Sequence, residues 1–123
     1  PIQYPIGGHA IFVDALKFLP KVPREQYVAQ TLAVELYIEG GVRGVEIGTL
    51  LADRDPETRK DRFPLLELMR LTIPRRVYTN NHVEYVAVAL KNVFDRREGI
   101  ITGLKITREA PLMRHFTVEL EKV

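Results

Sequence analysis

The stretch LMRLTIPRRVY, residues 68–78, decides the fold class, because its first half alternates apolar and polar side chains as a strand does. The apolar positions are Met69, Leu71 and Ile73, and the polar positions are Arg70 and Thr72. One face of this strand therefore suits a core, while the other face presents a guanidinium. Arginine offers a planar pair of N–H donors that matches a carboxylate. Arg70 is thus a candidate carboxylate ligand, although a salt-bridged or solvated arginine would give the same pattern.

The residues before this strand predict both strands and a helix. Ala10 to Val13 is expected to be a short buried strand after a pair of glycines. From about Glu25 to Glu39, apolar residues recur every four positions, which predicts a helix that ends at Gly40-Gly41. Residues 42–51 are predicted to be extended. Residues 53–62 alternate in charge around a proline and are predicted to form a surface loop or hairpin connection.

The residues after it predict a second helix and two more strands. Asn81 and Glu84 have the spacing of a capping box, and apolar residues then follow helical spacing until Gly99. Residues 104–107 and 116–121 alternate as half-buried strands. The whole pattern predicts one α+β domain over residues 1–123. We expect a small antiparallel or mixed sheet with helices on one face and the other face free.

Composition limits the possible functions. The chain is 46% hydrophobic and 28% charged, which suits one compact domain. It has no cysteine and no apolar signal segment, so we expect a cytoplasmic protein without disulfides, and no apolar run is long enough to cross a bilayer. A net charge of +2 is too small to indicate a nucleic-acid partner. No residues stand at metal-ligand spacing, even around His9, so no metal is expected, and the role of His9 stays open.

Four separated segments resemble one enzyme family. They are YPIGGHAIFVDALKFLP (4–20), GVRGVEIGTLLADRDPETRK (41–60), LELMRLTIPRRVYTNNHVEYV (66–86) and LMRHFTVELEKV (112–123). In this order they are similar to the C-terminal part of the tryptophanases and tyrosine phenol-lyases. These are pyridoxal-phosphate enzymes that split an amino acid by β-elimination. The resemblance implies the C-terminal small domain of a fold-type I pyridoxal-phosphate enzyme, without its large cofactor-binding domain.

The resemblance also implies roles for four residues. Arg70 matches the arginine that holds the substrate α-carboxylate. Val45, Ile47 and His115 match positions near the leaving group; in tyrosine phenol-lyases the position of Ile47 is an arginine and that of His115 a phenylalanine. The chain is therefore closer to tryptophanases. From the residues alone, Val45 and Ile47 could equally be core residues, and His115 a histidine without a chemical role.

The resemblance leaves the chemistry of this chain incomplete. The lysine that binds the cofactor has no counterpart here, so we expect no catalytic or cofactor-binding residue in this chain and no activity from it alone. The expected partners are an amino acid, with tryptophan favoured, a large cofactor-binding domain in cis or in trans, and further copies in a homo-oligomer. The alternatives are a tyrosine phenol-lyase-like fragment, or a stand-alone amino-acid-binding or structural module.

Overall fold

The computed structural model describes residues 1–123 and combines short strands with helices. In chain order the elements are β1 (Ala10–Asp14), α1 (Ala15–Phe18), α2 (Val28–Gly40), β2 (Val45–Ile47), α3 (Thr49–Ala52), β3 (Leu68–Thr72), α4 (Asn80–Asp95), β4 (Leu104–Arg108) and β5 (Glu119–Lys122). Single turns of 3-10 helix lie at Arg24–Gln26, Arg97–Gly99 and Arg114–Phe116. The α+β class predicted from the sequence is confirmed.

The strand predicted around Arg70 lies at the centre of a three-stranded sheet. β3 pairs antiparallel with β1 on one side and with β2 on the other. Met69 and Leu71 are buried under the helices, while Arg70 is half-buried on the other face. Strands β4 and β5 pair only with each other in a second, two-stranded antiparallel sheet. The C-terminal strands therefore form a sheet of their own and do not add to the edge of the first sheet.

Helix α2 fills the core. Its predicted apolar stripe is confirmed, since Val28, Leu32 and Leu36 have no exposed surface. The helix starts later than predicted, because Tyr27 takes a left-handed backbone conformation (φ 56°) that separates it from the preceding 3-10 turn. It ends where predicted, at Gly41, whose φ of 66° is the left-handed conformation that glycine adopts without a steric cost. Helix α4 packs closely on it, because a Cβ atom at Gly40 would lie 2.8 Å from Cβ of Ala89.

Three local predictions are wrong, and polar side chains explain each of them. Residues 42–51 are not continuously extended, because two buried carboxylates accept hydrogen bonds from the first amides of α3. Helix α4 is capped by Thr79, not Asn81: the Thr79 hydroxyl accepts from the His82 amide, and His82 Nδ1 accepts from the Thr79 amide. Phe116 lies in a 3-10 turn and is exposed, because the preceding Arg114 anchors that turn.

None of the helices is both long enough and apolar enough to cross a membrane.

Candidate substrate site on the open sheet face

Arg70 has two cross-strand neighbours on the open face of the sheet. It lies opposite Phe12 of β1 and opposite Val45 of β2, and directly opposed residues of antiparallel strands share a face. The Nε atom of Arg70 is buried and has no hydrogen-bond partner. A buried guanidinium N–H without an acceptor is uncommon, because its desolvation is uncompensated. The Nε–H group of Arg70 thus has no acceptor within this chain.

Val45 and Ile47 belong to the same face of β2. Val45 is 51% exposed, whereas Ile47 is half-buried opposite Leu68. Val45 is thus not a core residue, and the structure places it beside Arg70. Ile47 lies one cross-strand pair further along, at the transition to α3.

His115 and Val45 share an open cleft of about 290 Å³. The cleft is lined by Gln30, Arg43, Gly44, Val45, Glu46, Leu50 and His115. The His115 ring packs on Phe116 with a centroid distance of 3.9 Å, and its Nδ1 atom is buried without a hydrogen-bond partner. The structure therefore brings His115 and Val45 together, with Arg70 next to Val45 on the neighbouring strand. Arg70 and Ile47 do not line this cleft.

Below the cleft lies a buried arginine, Arg114, which sequence patterns do not single out. Its side chain has no exposed surface. It donates hydrogen bonds to the carbonyl oxygens of Leu50 (3.2 Å) and Thr49 (3.0 Å) at the start of α3. It also forms ion pairs with Asp61 (2.8 Å) and Glu109 (3.2 Å). Burial alone would lower the pKa of Arg114, but the ion pairs with Asp61 and Glu109 raise the pKa above its usual value.

Two further residues complete this cluster. Arg54 donates from Nε to Glu109 at 2.7 Å and lies 3.5 Å from Asp61. The Tyr27 hydroxyl donates to Asp61 at 2.9 Å. Burial and this hydrogen bond to Asp61 raise the pKa of Tyr27 to about 12. The loop predicted over residues 53–62 is thus confirmed as a connection, with an Arg54–Asp61 bridge at its base, but it is attached to the body of the chain through Arg114.

Glu46 and Glu67 are the two buried carboxylates that organise the start of α3. Glu46 accepts from the amides of Leu50 (3.1 Å) and Leu51 (2.9 Å). Glu67, which is fully buried, accepts from the Thr49 amide at 3.1 Å and from the Thr49 hydroxyl. A Cβ atom at Gly48 would overlap both carboxylates, so a side chain there would displace the two groups that hold the start of α3. Glu46 is therefore structural.

Burial raises the pKa of Glu46 to about 7, and the nearby Glu67 carboxylate adds to this shift. The folded chain therefore keeps the Glu46 proton up to a pH of about 7, whereas the unfolded chain, with a glutamate pKa near 4.5, loses it at lower pH. The stability that the protonated Glu46 gives to the fold is complete below pH 4.5, and it is lost as the pH rises to about 7. We expect the free energy of unfolding to fall by about 3 kcal/mol between pH 4.5 and pH 7.5.

Urea unfolding of the chain at a series of pH values measures this fall. E46Q cannot titrate and should remove the slope, while E84Q, at an exposed glutamate on α4, should keep it. A slope that persists in E46Q would assign the proton to another group.

Comparison with known proteins places the chain in a family. Residues 3–89 match the family profile described as beta-eliminating lyase. The chain belongs to the beta-eliminating lyase family. A probable beta-eliminating lyase of Trichomonas vaginalis is 68% identical over 123 residues. A tyrosine phenol-lyase of Symbiobacterium thermophilum is 48% identical over 123 residues, and a tryptophanase of Salinibacter ruber is 48% identical over 120 residues.

These alignments cover 98–100% of this beta-eliminating lyase chain but only 25–27% of the three relatives. The chain therefore spans about a quarter of their length. The two relatives named for different substrates are equally similar to it, at 48% identity. Overall similarity to the family thus gives no preference between tryptophan and tyrosine, and the preference has to be argued from individual residues.

Proposed function

We propose that this chain is the part of a pyridoxal-phosphate-dependent, tryptophanase-like lyase that holds the amino-acid substrate. The reaction converts L-tryptophan and water to indole, pyruvate and ammonia. The observation that carries the proposal is the buried Nε of Arg70, which has no acceptor within the chain. A substrate carboxylate would accept from this Nε and from a terminal nitrogen of the same guanidinium. Fixing the carboxylate in this way also fixes the direction of the Cα–H bond, which must be aligned for proton loss.

The preference for tryptophan rests on the apolar Ile47 and Val45. Indole is mostly apolar surface with one N–H group, so apolar neighbours suit it. The buried Nδ1 of His115 has no partner and would accept a hydrogen bond in its neutral form. Tyrosine is the second candidate, because relatives named tyrosine phenol-lyase are as similar to the chain as the tryptophanase is.

The residues of this chain do not suit covalent attachment of the cofactor. All six lysines are exposed: Lys17, Lys21, Lys60, Lys91, Lys105 and Lys122. Five of them are engaged in salt bridges. Pyridoxal phosphate supplies the electron sink that makes proton loss from Cα possible. We therefore assign the cofactor to a large domain, joined in cis or supplied in trans, and assign to this chain the binding and orientation of the substrate.

Exposed apolar side chains support such a partner. Leu65, Leu112, Tyr4 and Phe116 are each more than two-thirds exposed. Exposed apolar residues of this size favour a covering surface, which here is the large domain or a second copy in a homo-oligomer. With no cysteine in the chain, a cytoplasmic location completes the proposal.

The test uses the natural polypeptide that carries this sequence, called here the complete polypeptide, with added pyridoxal phosphate. We expect it to release indole from tryptophan faster than phenol from tyrosine, whereas the 123-residue chain alone should release neither. I47R introduces a charge beside the leaving group and should shift the ratio of kcat/KM from tryptophan towards tyrosine by about tenfold or more. K105R, at an exposed lysine of β4, is the control and should leave the ratio unchanged. Faster turnover of tyrosine by the unchanged polypeptide would assign it to the tyrosine phenol-lyases instead.

A further inference from the structure

Arg114 links the two sides of the candidate site, although it does not itself line the cleft. Its side chain is attached to α3, and α3 follows β2, which carries Val45 and Ile47. Its backbone precedes His115 directly in the 3-10 turn Arg114–Phe116. Arg114 thus connects β2, which carries the apolar Val45 and Ile47, with the turn that carries His115.

The connection on the α3 side is rigid, because the carbonyl oxygen and the amide of its peptide groups both form hydrogen bonds. The carbonyl oxygens of Thr49 and Leu50 accept from Arg114. The amides of Leu50 and Leu51 donate to Glu46, which stands between Val45 and Ile47 on β2. A displacement of Arg114 would therefore move the start of α3, which Glu46 holds to β2, the strand of Val45 and Ile47.

The connection on the His115 side depends on the backbone. The carbonyl oxygen of Arg114 accepts from the amides of Thr117 (3.0 Å) and Val118 (2.7 Å), which closes the turn around His115. Met113, just before it, takes a left-handed conformation (φ 52°). The buried Nδ1 of His115 has no hydrogen-bond partner. The ring packs on Phe116, the turn fixes where its backbone lies, and Arg114 closes the turn.

From this geometry we infer that Arg114 is a positioning residue that holds His115 at a fixed place relative to Val45 and Ile47, and so sets the preference for the leaving group of the substrate. The inference deepens the proposed function and rests on it for the identity of the substrate. Arg114 acts through His115 and does not touch the substrate. Its exchange should therefore affect substrates whose leaving group reaches His115, and spare those whose leaving group does not.

The experiment compares two substrates of the complete polypeptide loaded with pyridoxal phosphate. Tryptophan has a large leaving group, whereas β-chloroalanine loses only chloride and needs no contact with His115. R114K keeps the charge but changes the hydrogen-bond geometry. We expect it to lower kcat/KM for tryptophan, relative to that for β-chloroalanine, by about tenfold or more, because small displacements of positioned groups cost this much. R108K, at an exposed arginine of β4, is the matched control and should leave the ratio unchanged.

A double-mutant cycle separates positioning from general loss of structure. H115A should itself lower the ratio, and R114K should then have no further effect on it. A full additional effect of R114K in H115A, or equal losses for both substrates, would overturn the inference. If R114K does not fold, E109Q replaces it, since it removes one ion pair of Arg114 and keeps Asp61; the ratio should then fall by about threefold.

A crystal structure of R114K tests the inference without activity. We expect the His115 ring to leave its packing against Phe116 or to lose its single conformation. An unmoved ring would overturn the inference. If the unchanged polypeptide turned over neither substrate, the proposed function would fail, and this structure alone would decide whether Arg114 positions His115.

Discussion

R70K in the complete polypeptide is expected to lower kcat/KM for its amino-acid substrate by about 100-fold, although the positive charge is retained. Lysine cannot place two parallel N–H donors against a carboxylate, and its ammonium would not reproduce the buried Nε of Arg70. A hydrogen bond to a charged group contributes about 1.5–3 kcal/mol, which corresponds to a factor of about 10 to 100. Steady-state kinetics with tryptophan measures the loss.

The division of this loss between kcat and KM shows what Arg70 does. If the arginine only binds the carboxylate, KM rises and kcat stays the same. If it also aligns the Cα–H bond, kcat falls as well, and this is the result we expect. R108K again serves as the control, because Arg108 is exposed and pairs only with Glu119 at the surface. A value of kcat/KM for R70K within about threefold of the unchanged polypeptide would exclude Arg70 as the carboxylate ligand.

R114M is expected to lower the free energy of unfolding by about 3–5 kcal/mol. Methionine fills much of the volume but removes the positive charge that faces Asp61 and Glu109. The carbonyl oxygens of Thr49 and Leu50 would lose this buried donor, Asp61 would keep Tyr27 and Arg54, and Glu109 would keep only Arg54. Removing one member of a buried ion pair is costly for this reason.

Urea unfolding of the 123-residue chain measures the effect. R108M breaks an exposed ion pair of the same type and should change the free energy of unfolding by less than about 1 kcal/mol. A loss in R114M that is no greater than the loss in R108M would mean that the cluster around Arg114 contributes little to stability.

The elements that depend on local periodicity could be predicted from the sequence. The alternation of Met69, Arg70 and Leu71 requires only that one face of a strand is buried, and the structure has this arrangement. The apolar stripe of α2 likewise follows from spacing alone, and Gly41 ends the helix through its own backbone conformation. Such features depend on residues that are close together in the chain, so a single stretch contains the necessary information.

The errors arose where distant residues determine the local structure. Thr49 starts a helix because Glu67, 18 residues away, accepts from its amide. Residues 42–51 contain no sign of this partner. Arg114 is close to Glu109 in the sequence, but its other partners are Asp53, Asp61 and the carbonyl oxygens of Leu50 and Thr49, the last two of which lie 64 and 65 residues away. A basic residue before a histidine gives no indication of burial, so the cluster could not be found from sequence patterns.

In the candidate site, too, some residues could be found from the sequence, whereas their arrangement could not. Arg70 stands out because a charge in a strand pattern needs an explanation, and Val45 and His115 were selected through the resemblance to a family. The cleft that joins Val45 and His115 depends on the pairing of β2 with β3 and on the turn at Arg114. Neither of these is visible in the local sequence.

The position of Arg114 along the chain also has a consequence for the order of folding. Asp53, Asp61 and Glu109 all precede it, so during synthesis these carboxylates leave the ribosome before the arginine that pairs with all three. The three-stranded sheet and helices α2 and α4 contain no residue beyond 95 and could form earlier. The loop over residues 53–62 would remain solvated until Arg114 arrives, because burying its acids without that partner is unfavourable. The His115 side of the candidate site should therefore take shape on the ribosome later than the three-stranded sheet that carries Arg70 and Val45.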